Sequence, residues 1–311
     1  MTTKRTASQT LAQGGFQDFL PLTFLGAGSM ARALIRGLLT AGLAGPSDIR
    51  VTNRSNRARL EDLARTYGVV THPAKREALA GAKTVVLATK PADVVACLEE
   101  SRPHLPAFSE AGLRGMARGA GSRATAWRPL VISVAAGVGT ATIERLLPPG
   151  TPVVRAMPNT SCSVGESATV LCAGRWAGDG GLEVARRLFG VVGLVVDLDE
   201  SQMNAITGLS GSGPAYVYLL LEAMTEAGAR LGLDPDVSYR LALQTLRGAA
   251  ATAQVTGETA AELRRKVTSP GGTTMAGLAV LEGAGFKQGV IDAVRRAAER
   301  AAELEPAPEA G

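Results

Sequence analysis

The sequence predicts an α/β chain, a doubly wound sheet followed by an all-helical domain, and three observations carry that expectation. From about residue 21 to about residue 200, short apolar runs rich in β-branched residues alternate with helix-like stretches, the rhythm of a parallel sheet wrapped by helices. After Gln202 the strand signal stops and the chain turns Ala- and Leu-rich, broken by glycines. Directly behind the first apolar run stands a Gly-rich turn that opens a helix.

Taken in order, LTFLG is the first strand and residues 30–41 its helix; IRVTN is followed by a helix over residues 57–67, and TVVLATK by one over residues 92–99. LVISVAAG leads into residues 140–147, and VVRAMPN follows as a further strand. Residues 168–172 and 194–197 read as two more strands of the same sheet, with a helix around residues 182–189 between them. Residues 1–20 and 305–311 lack periodicity and read as tails, and residues 106–129, rich in Gly, Arg, Ser and Ala, as a surface insertion. The resulting domains are 21–200, the sheet domain, and 201–304, the helical one. In the latter, AYVYLLLEAM is apolar almost all round, which a helix tolerates only in a bundle or against another subunit.

Composition narrows the function. A chain of 311 residues with 46% hydrophobic and 20% charged residues is long enough for roughly two globular domains. Its longest apolar stretches, such as residues 85–88 and 215–221, fall far short of the roughly 20 residues that cross a bilayer, and MTTKRTASQT has no apolar signal core. The expectation is a cytoplasmic protein with no membrane partner. A net charge of +5 is spread over helices and interleaved with acids, and aromatics are only 4%, so no nucleic-acid surface is expected. Cys97, Cys162 and Cys172 contain no CxxC pair, which argues against a disulfide framework and against a metal site.

The Gly-rich turn is Gly26, Ala27, Gly28, Ser29, Met30, Ala31, a GxGxxA pattern. The first glycine permits the tight turn, the second lets a diphosphate approach the backbone, and Ala31 packs the helix close to its strand, so the turn predicts dinucleotide binding in a Rossmann-like domain. At the end of the second strand, where an acid would hold the ribose 2′-hydroxyl of NAD, the chain has Asn53, Arg54 and Ser55, donors suited to a 2′-phosphate. NADPH is therefore expected, with NADH as the alternative. In VTSPGGTTMAGL, the turn Ser269 to Gly272 exposes amides before a helix starting near Thr273 and Thr274, which suits either a carboxylate or simple capping. LSGSGPAY, residues 209–216, carries the same ambiguity. His72 and His104 lie away from these clusters, which fits a hydride transfer onto a substrate that arrives already protonated.

Together the strings FLGAGSMARALIRGL, VTNRS, LATKP, VISVAAGV, VRAMPNTSCSVGES, ITGLSGSGPAYVYLLLEAMTEAGARLGL and VTSPGGTTMAGLAVLE, in this order, closely resemble the pyrroline-5-carboxylate reductase family. The resemblance implies a reductase that moves a hydride from NADPH, or NADH, to the imine carbon of 1-pyrroline-5-carboxylate, giving L-proline, at a site formed between the domains. It implies that Leu25, Gly26, Ala27, Gly28, Ser29 and Met30 cradle the diphosphate and that Asn53, Arg54 and Ser55 reach the adenosine ribose or its phosphate. Ala88, Thr89, Lys90 and Pro91 would border the adenine side, with Lys75 near the cofactor, and Val134, Ala135 and Ala136 the nicotinamide approach. Gly272 and Thr273 amides would hold the substrate carboxylate, and the hydroxyl of Thr274, the catalytic candidate, would contact the ring nitrogen. Glu166 matches a substrate-proximal glutamate, and Lys266 stands on the substrate side. The helical domain would form a homodimer, in larger rings such as a decamer for some members.

Several positions depart from the family pattern. Lys266 replaces an Asn or Gln, Arg265 an Asp, Thr259 and Ala260 a His-Pro pair, Lys75 an Asn, and Ser161 the proline of MPNTP. Two other readings compete with this one. A related reductase, acting on a different cyclic imine or a 2-hydroxy acid, is the nearer; a β-hydroxyacid dehydrogenase would carry a lysine in the helix where this chain has SGSGPAYVYLLLE. A catalytically silent NADP-binding scaffold would keep GAGSMA and lose SPGGTT, and both are present.

Overall fold

The computed structural model of the chain describes residues 16–106 and 128–304, so nearly all of the expected insertion, most of the first tail and all of the second lie outside the described residues. Strands β1 (Leu22–Leu25), β2 (Ile49–Thr52), β3 (Val70–His72), β4 (Thr84–Leu87), β5 (Leu130–Ser133), β6 (Val153–Met157), β7 (Ser167–Ala173) and β8 (Gly193–Asp197) form one sheet. Its order is β3-β2-β1-β4-β5-β6-β7-β8. All pairings are parallel except β6 with β7, which is antiparallel.

The expected apolar runs are continuous because both faces are covered. Along β4, Val86 points into one core cluster with Phe24, Ile132 and Val154, while Val85 and Leu87 point into the other with Leu25, Val131 and Val153. Helix Ser29–Thr40 buries Ala31, Leu34, Ile35 and Leu38, a spacing of i, i+3, i+4, i+7 that is one helical stripe. Helix Arg57–Tyr67 starts on an Asn56 cap and ends at Gly68 in the left-handed conformation.

Three features differ from the sequence reading. β3 and the helix Lys75–Leu79 went unread, because VTH is a short edge strand, half-exposed and without an apolar run, and five residues cannot show helical periodicity. The loose tail expected up to residue 20 stops earlier: Phe16–Phe19 forms a 3₁₀ turn, and Phe16 and Leu20 are buried in the main core cluster. The described residues also divide later than residue 200, into one compact unit that runs to Gly211 and resumes at Ala298, and a second, Ser212–Ala297. The extension follows from packing, since Met203 is fully buried with Met157, Val170 and Cys172 at the sheet.

In the second unit, helices Gly213–Arg230 and Pro235–Thr256 pack on one another, the latter opened by Asp234, whose Oδ1 accepts from the amides of Asp236 and Val237 at 3.0 and 3.1 Å. Ala260–Lys266 and Thr273–Gly283 follow, and then the first part of Phe286–Glu303. Leu219, Leu241 and Val280 are 66%, 58% and 71% exposed, so this unit buries little of its own apolar surface. Among the described residues no helix is long and apolar enough to cross a membrane.

Candidate active site

In a sheet whose strand order reverses between β1 and β4, the crevice beyond the carboxyl ends of those strands is the place for a ligand. A cavity of about 620 Å³ occupies it. Leu25 closes β1, Thr52 closes β2 and Ala88 follows β4, and all three line it. So do Gly26, Ala27, Gly28, Ser29, Met30, Asn53, Arg54, Ser55, Lys75, Thr89 and Lys90. Pro91 and the loop Val134, Ala135 and Ala136 do not; Pro91 opens a 3₁₀ turn, and the loop leaves β5 with the Val134 amide donating to the Leu87 carbonyl at 3.1 Å.

The glycine turn behaves as its two roles require. Gly26 has φ of +118°, and a Cβ there would stand 2.4 Å from the Ala88 carbonyl oxygen, so close strand approach and backbone conformation both demand glycine. At Gly28, which lines the cavity, a Cβ would meet nothing within 4 Å. Gly28 also caps helix Ser29–Thr40 without a side-chain bond, and the first helical bond runs from the Arg32 amide to the Gly28 carbonyl at 3.0 Å. The amides of Ser29, Met30 and Ala31 precede it and, with the positive end of the helix dipole, form an anion site. The Thr89 hydroxyl is buried with no hydrogen-bond partner, an unusual state for a buried polar atom and one that a bound polar ligand would relieve. These features fit a dinucleotide.

Charged side chains also line the cavity. Arg54 lies 3.7 Å from Asp93, and Lys75 donates to Glu100 Oε2 at 2.6 Å and to the Cys97 carbonyl at 3.2 Å. That Lys75 hydrogen bond holds the Glu100 carboxyl below the usual carboxylate range, whereas burial pushes the Cys97 thiol up. Thr52, Asn56, Arg59, Asp93 and Cys97 also line the cavity and were missed in the sequence. Asn56 had a legible signal, a polar residue ahead of a helix; Asp93, in a 3₁₀ turn after Lys90, had none.

The remaining site residues sit elsewhere. Glu166 is exposed in the turn before β7, its amide donating to the Ser161 carbonyl at 3.1 Å. Lys266, Gly272, Thr273 and Thr274 belong to the second unit. There Gly272 caps helix Thr273–Gly283 with no side-chain bond, and Gly271 has φ of +69°. The first bond of this helix joins the Ala276 amide to the Gly272 carbonyl at 3.3 Å, which leaves the amides of Thr273, Thr274 and Met275 without helical acceptors. Thr274 is exposed at the second helical position, and the cap is Gly272.

The comparisons with known proteins agree with this arrangement. A family model described as pyrroline-5-carboxylate reductase dimerisation matches residues 200–304, and one described as NADP oxidoreductase, coenzyme F420-dependent, matches residues 21–107. The chain is 36% identical to pyrroline-5-carboxylate reductase 2 of Bacillus subtilis over 90% of its length and 94% of the relative's. It is 38% identical to the pyrroline-5-carboxylate reductase of Synechocystis, covering 92% and 98%. The chain belongs to the pyrroline-5-carboxylate reductase family. Among solved structures, a pyrroline-5-carboxylate reductase from Coxiella burnetii superposes with a TM-score of 0.80 at 38% identity over 93% of this chain and 99% of that one. The Plasmodium falciparum pyrroline carboxylate reductase, solved with NADP bound, gives 0.77 at 26% identity over 92% and 98%.

Against the pyrroline-5-carboxylate reductase pattern, several departures have local structural roles. Thr259 caps helix Ala260–Lys266 in a reciprocal capping box with Glu262, which replaces the start a His-Pro pair would make. Lys266 is ion-paired with Glu258, Lys75 with Glu100, and the Ser161 amide donates to Asn159 Oδ1 at 3.1 Å.

Proposed function

We propose that this chain reduces 1-pyrroline-5-carboxylate to L-proline, the last step of proline biosynthesis, with NADPH as the preferred donor and NADH as the weaker one. The observation that carries the reading is the cavity at the β1/β4 reversal in a chain of this family, with a backbone anion site at Gly28, a partnerless buried hydroxyl at Thr89 and cations at Arg54, Arg59 and Lys90.

When bound, the nicotinamide supplies the hydride. The chain's own part is to bind and orient. Amides at the start of Ser29–Thr40 take the diphosphate, and Asn53, Arg54 and Ser55 take the 2′-phosphate. Leu25, Ala27, Met30, Ala88, Thr89, Lys90 and Pro91 border the nucleotide, with Val134, Ala135 and Ala136 toward the nicotinamide. The amides of Thr273 and Thr274 behind Gly272 anchor the substrate carboxylate, and the Thr274 hydroxyl hydrogen-bonds the ring nitrogen. Glu166 and Lys266 are assigned to the substrate side. A protonated imine is already electrophilic, so orientation and carboxylate anchoring suffice without a strong side-chain acid. His72 is consistent with this, since it sits on the edge strand β3, 3.5 Å from Glu77, and does not line the cavity.

We further assign the protein to the cytoplasm, as a homodimer or a ring of dimers such as a decamer. Support comes from the exposed apolar faces of Gly213–Arg230 and Pro235–Thr256, which a second copy would cover. The deciding experiment is a steady-state assay of purified protein with 1-pyrroline-5-carboxylate and each nicotinamide, with proline quantified as product. Oxidation of NADPH that yields no proline would overturn the assignment.

A further inference from the structure

Asp93 is the one carboxylate among the described residues that line the nucleotide cavity, and it faces the arginine assigned to the 2′-phosphate. Its side chain ends the 3₁₀ turn Pro91–Asp93 and precedes helix Val94–Ser101, a place where an acid ordinarily caps the helix. Here it makes no cap bond, and its Oδ1 lies 3.7 Å from the Arg54 guanidinium. The other charges near it are already committed or distant in role: Lys75 is held by Glu100 at 2.6 Å, which leaves Arg54, Arg59 and Lys90 to meet a phosphate.

We propose that Asp93 is a specificity-determining residue that restrains NADPH preference by holding Arg54, so that capture of a 2′-phosphate must first draw the guanidinium off the carboxylate. This rests on the reading of the cavity as an NADPH site. The 2′-hydroxyl of NADH makes no such demand on Arg54, so the restraint acts on one cofactor and leaves the other untouched. Asp93 thereby does from the β4 side, and in weaker form, what an acid at the end of β2 does in NAD-selective sheets. Both side chains are substantially exposed, at 63% for Arg54 and 46% for Asp93, so the effect is that of a screened surface pair.

The test is equilibrium binding of NADP⁺ and NAD⁺ to the purified full chain by calorimetry, for wild type, Asp93→Asn, Arg54→Ala and the double variant. Asp93→Asn is expected to tighten NADP⁺ about 2- to 5-fold at low salt, to leave NAD⁺ within the error, and to lose most of its effect in half-molar salt. In the Arg54→Ala background the same change should do nothing, because the carboxylate then has no guanidinium to hold. Asp93→Ser, which keeps a side-chain oxygen at the cap position without charge, should tighten NADP⁺ as Asn does. Unchanged NADP⁺ affinity in Asp93→Asn, equal tightening of both nucleotides, or a full effect that survives in Arg54→Ala would each overturn the proposal. Failure of the underlying reading looks different: Arg54→Ala would then leave NADP⁺ affinity at the wild-type value.

Discussion

The two glycines of the turn make opposite predictions when each is changed to alanine. Gly28 has φ of −80° and ψ of −175°, extended backbone open to any residue, and its added methyl would meet no atom within 4 Å. The fold should lose only the difference between Gly and Ala at a helix cap, under about 1 kcal/mol. The methyl nevertheless occupies the space through which a diphosphate reaches the amides of Ser29 to Ala31, and losing even one charge-assisted bond of about 1.5–3 kcal/mol weakens binding by roughly 10- to 150-fold. Gly26 reverses the balance. Its φ of +118° disfavours alanine by about 1–3 kcal/mol, and the methyl would lie 2.4 Å from the Ala88 carbonyl oxygen, a backbone atom that cannot move without displacing the end of β4. Gly26→Ala should therefore lower the melting temperature strongly. Differential scanning calorimetry of both variants, alongside titration of Gly28→Ala with NADP⁺, checks the pair. Wild-type NADP⁺ affinity in Gly28→Ala, or equal destabilisation of the two, refutes the argument.

Thr274→Ala should lower kcat/KM about 5- to 150-fold, the range for one hydrogen bond of about 1–3 kcal/mol, with unchanged NADP⁺ affinity and melting temperature because Gly272 is the cap; Thr274→Ser should retain more activity. A lower melting temperature with normal turnover would remove the role. Glu200→Ala should destabilise the chain by about 3 kcal/mol in urea titrations, because the carboxylate accepts from the fully buried Arg155 at 3.0 Å and from the Thr140 amide at 3.0 Å; a change below about 1 kcal/mol would contradict this. Burial raises the Glu144 carboxyl above its ordinary range against the pull of the Arg175 and Trp176 amides, so its contribution to stability is present below the unfolded value and lost as pH rises through the folded one. The melting temperature of Glu144→Gln should gain on wild type as pH rises above the ordinary carboxylate range, and parallel profiles would count against the shift.

Legibility of the fold followed the length and purity of each apolar run. β1, β4, β5 and β6 are buried along their whole length, and their β-branched runs showed it. β7 was located but its antiparallel direction was not, because strand periodicity is the same in both directions and direction is fixed by the connection, here the short turn through Thr160–Val164. The unit boundary the sequence predicts falls before Met203 because the sequence marks where strands stop, whereas packing against Met157 and Cys172 decides where the compact unit stops.

The candidate site divides along the same line. Backbone-defined parts were readable, since a diphosphate turn needs glycine at fixed spacing and a helix start after SPGG needs no partner to be recognised. Asn53, Arg54 and Ser55 were readable too, because the end of β2 has a fixed role in such a sheet, whereas Arg59, Asp93 and Cys97, which reach the cavity from helices and a 3₁₀ turn, carry no such positional signal, since their distance from the turn is set by sheet order. Asp93 is 65 residues from Gly28 in numbering yet lines the same cavity, because β1 and β4 are neighbours. The consequence is chemical: the sequence at the end of β2 reports a set of donors and predicts a preference for a 2′-phosphate, whereas the fold sets a carboxylate against the central donor. Cofactor choice in this chain is thus a balance between two strand ends, and reading either end alone overstates it.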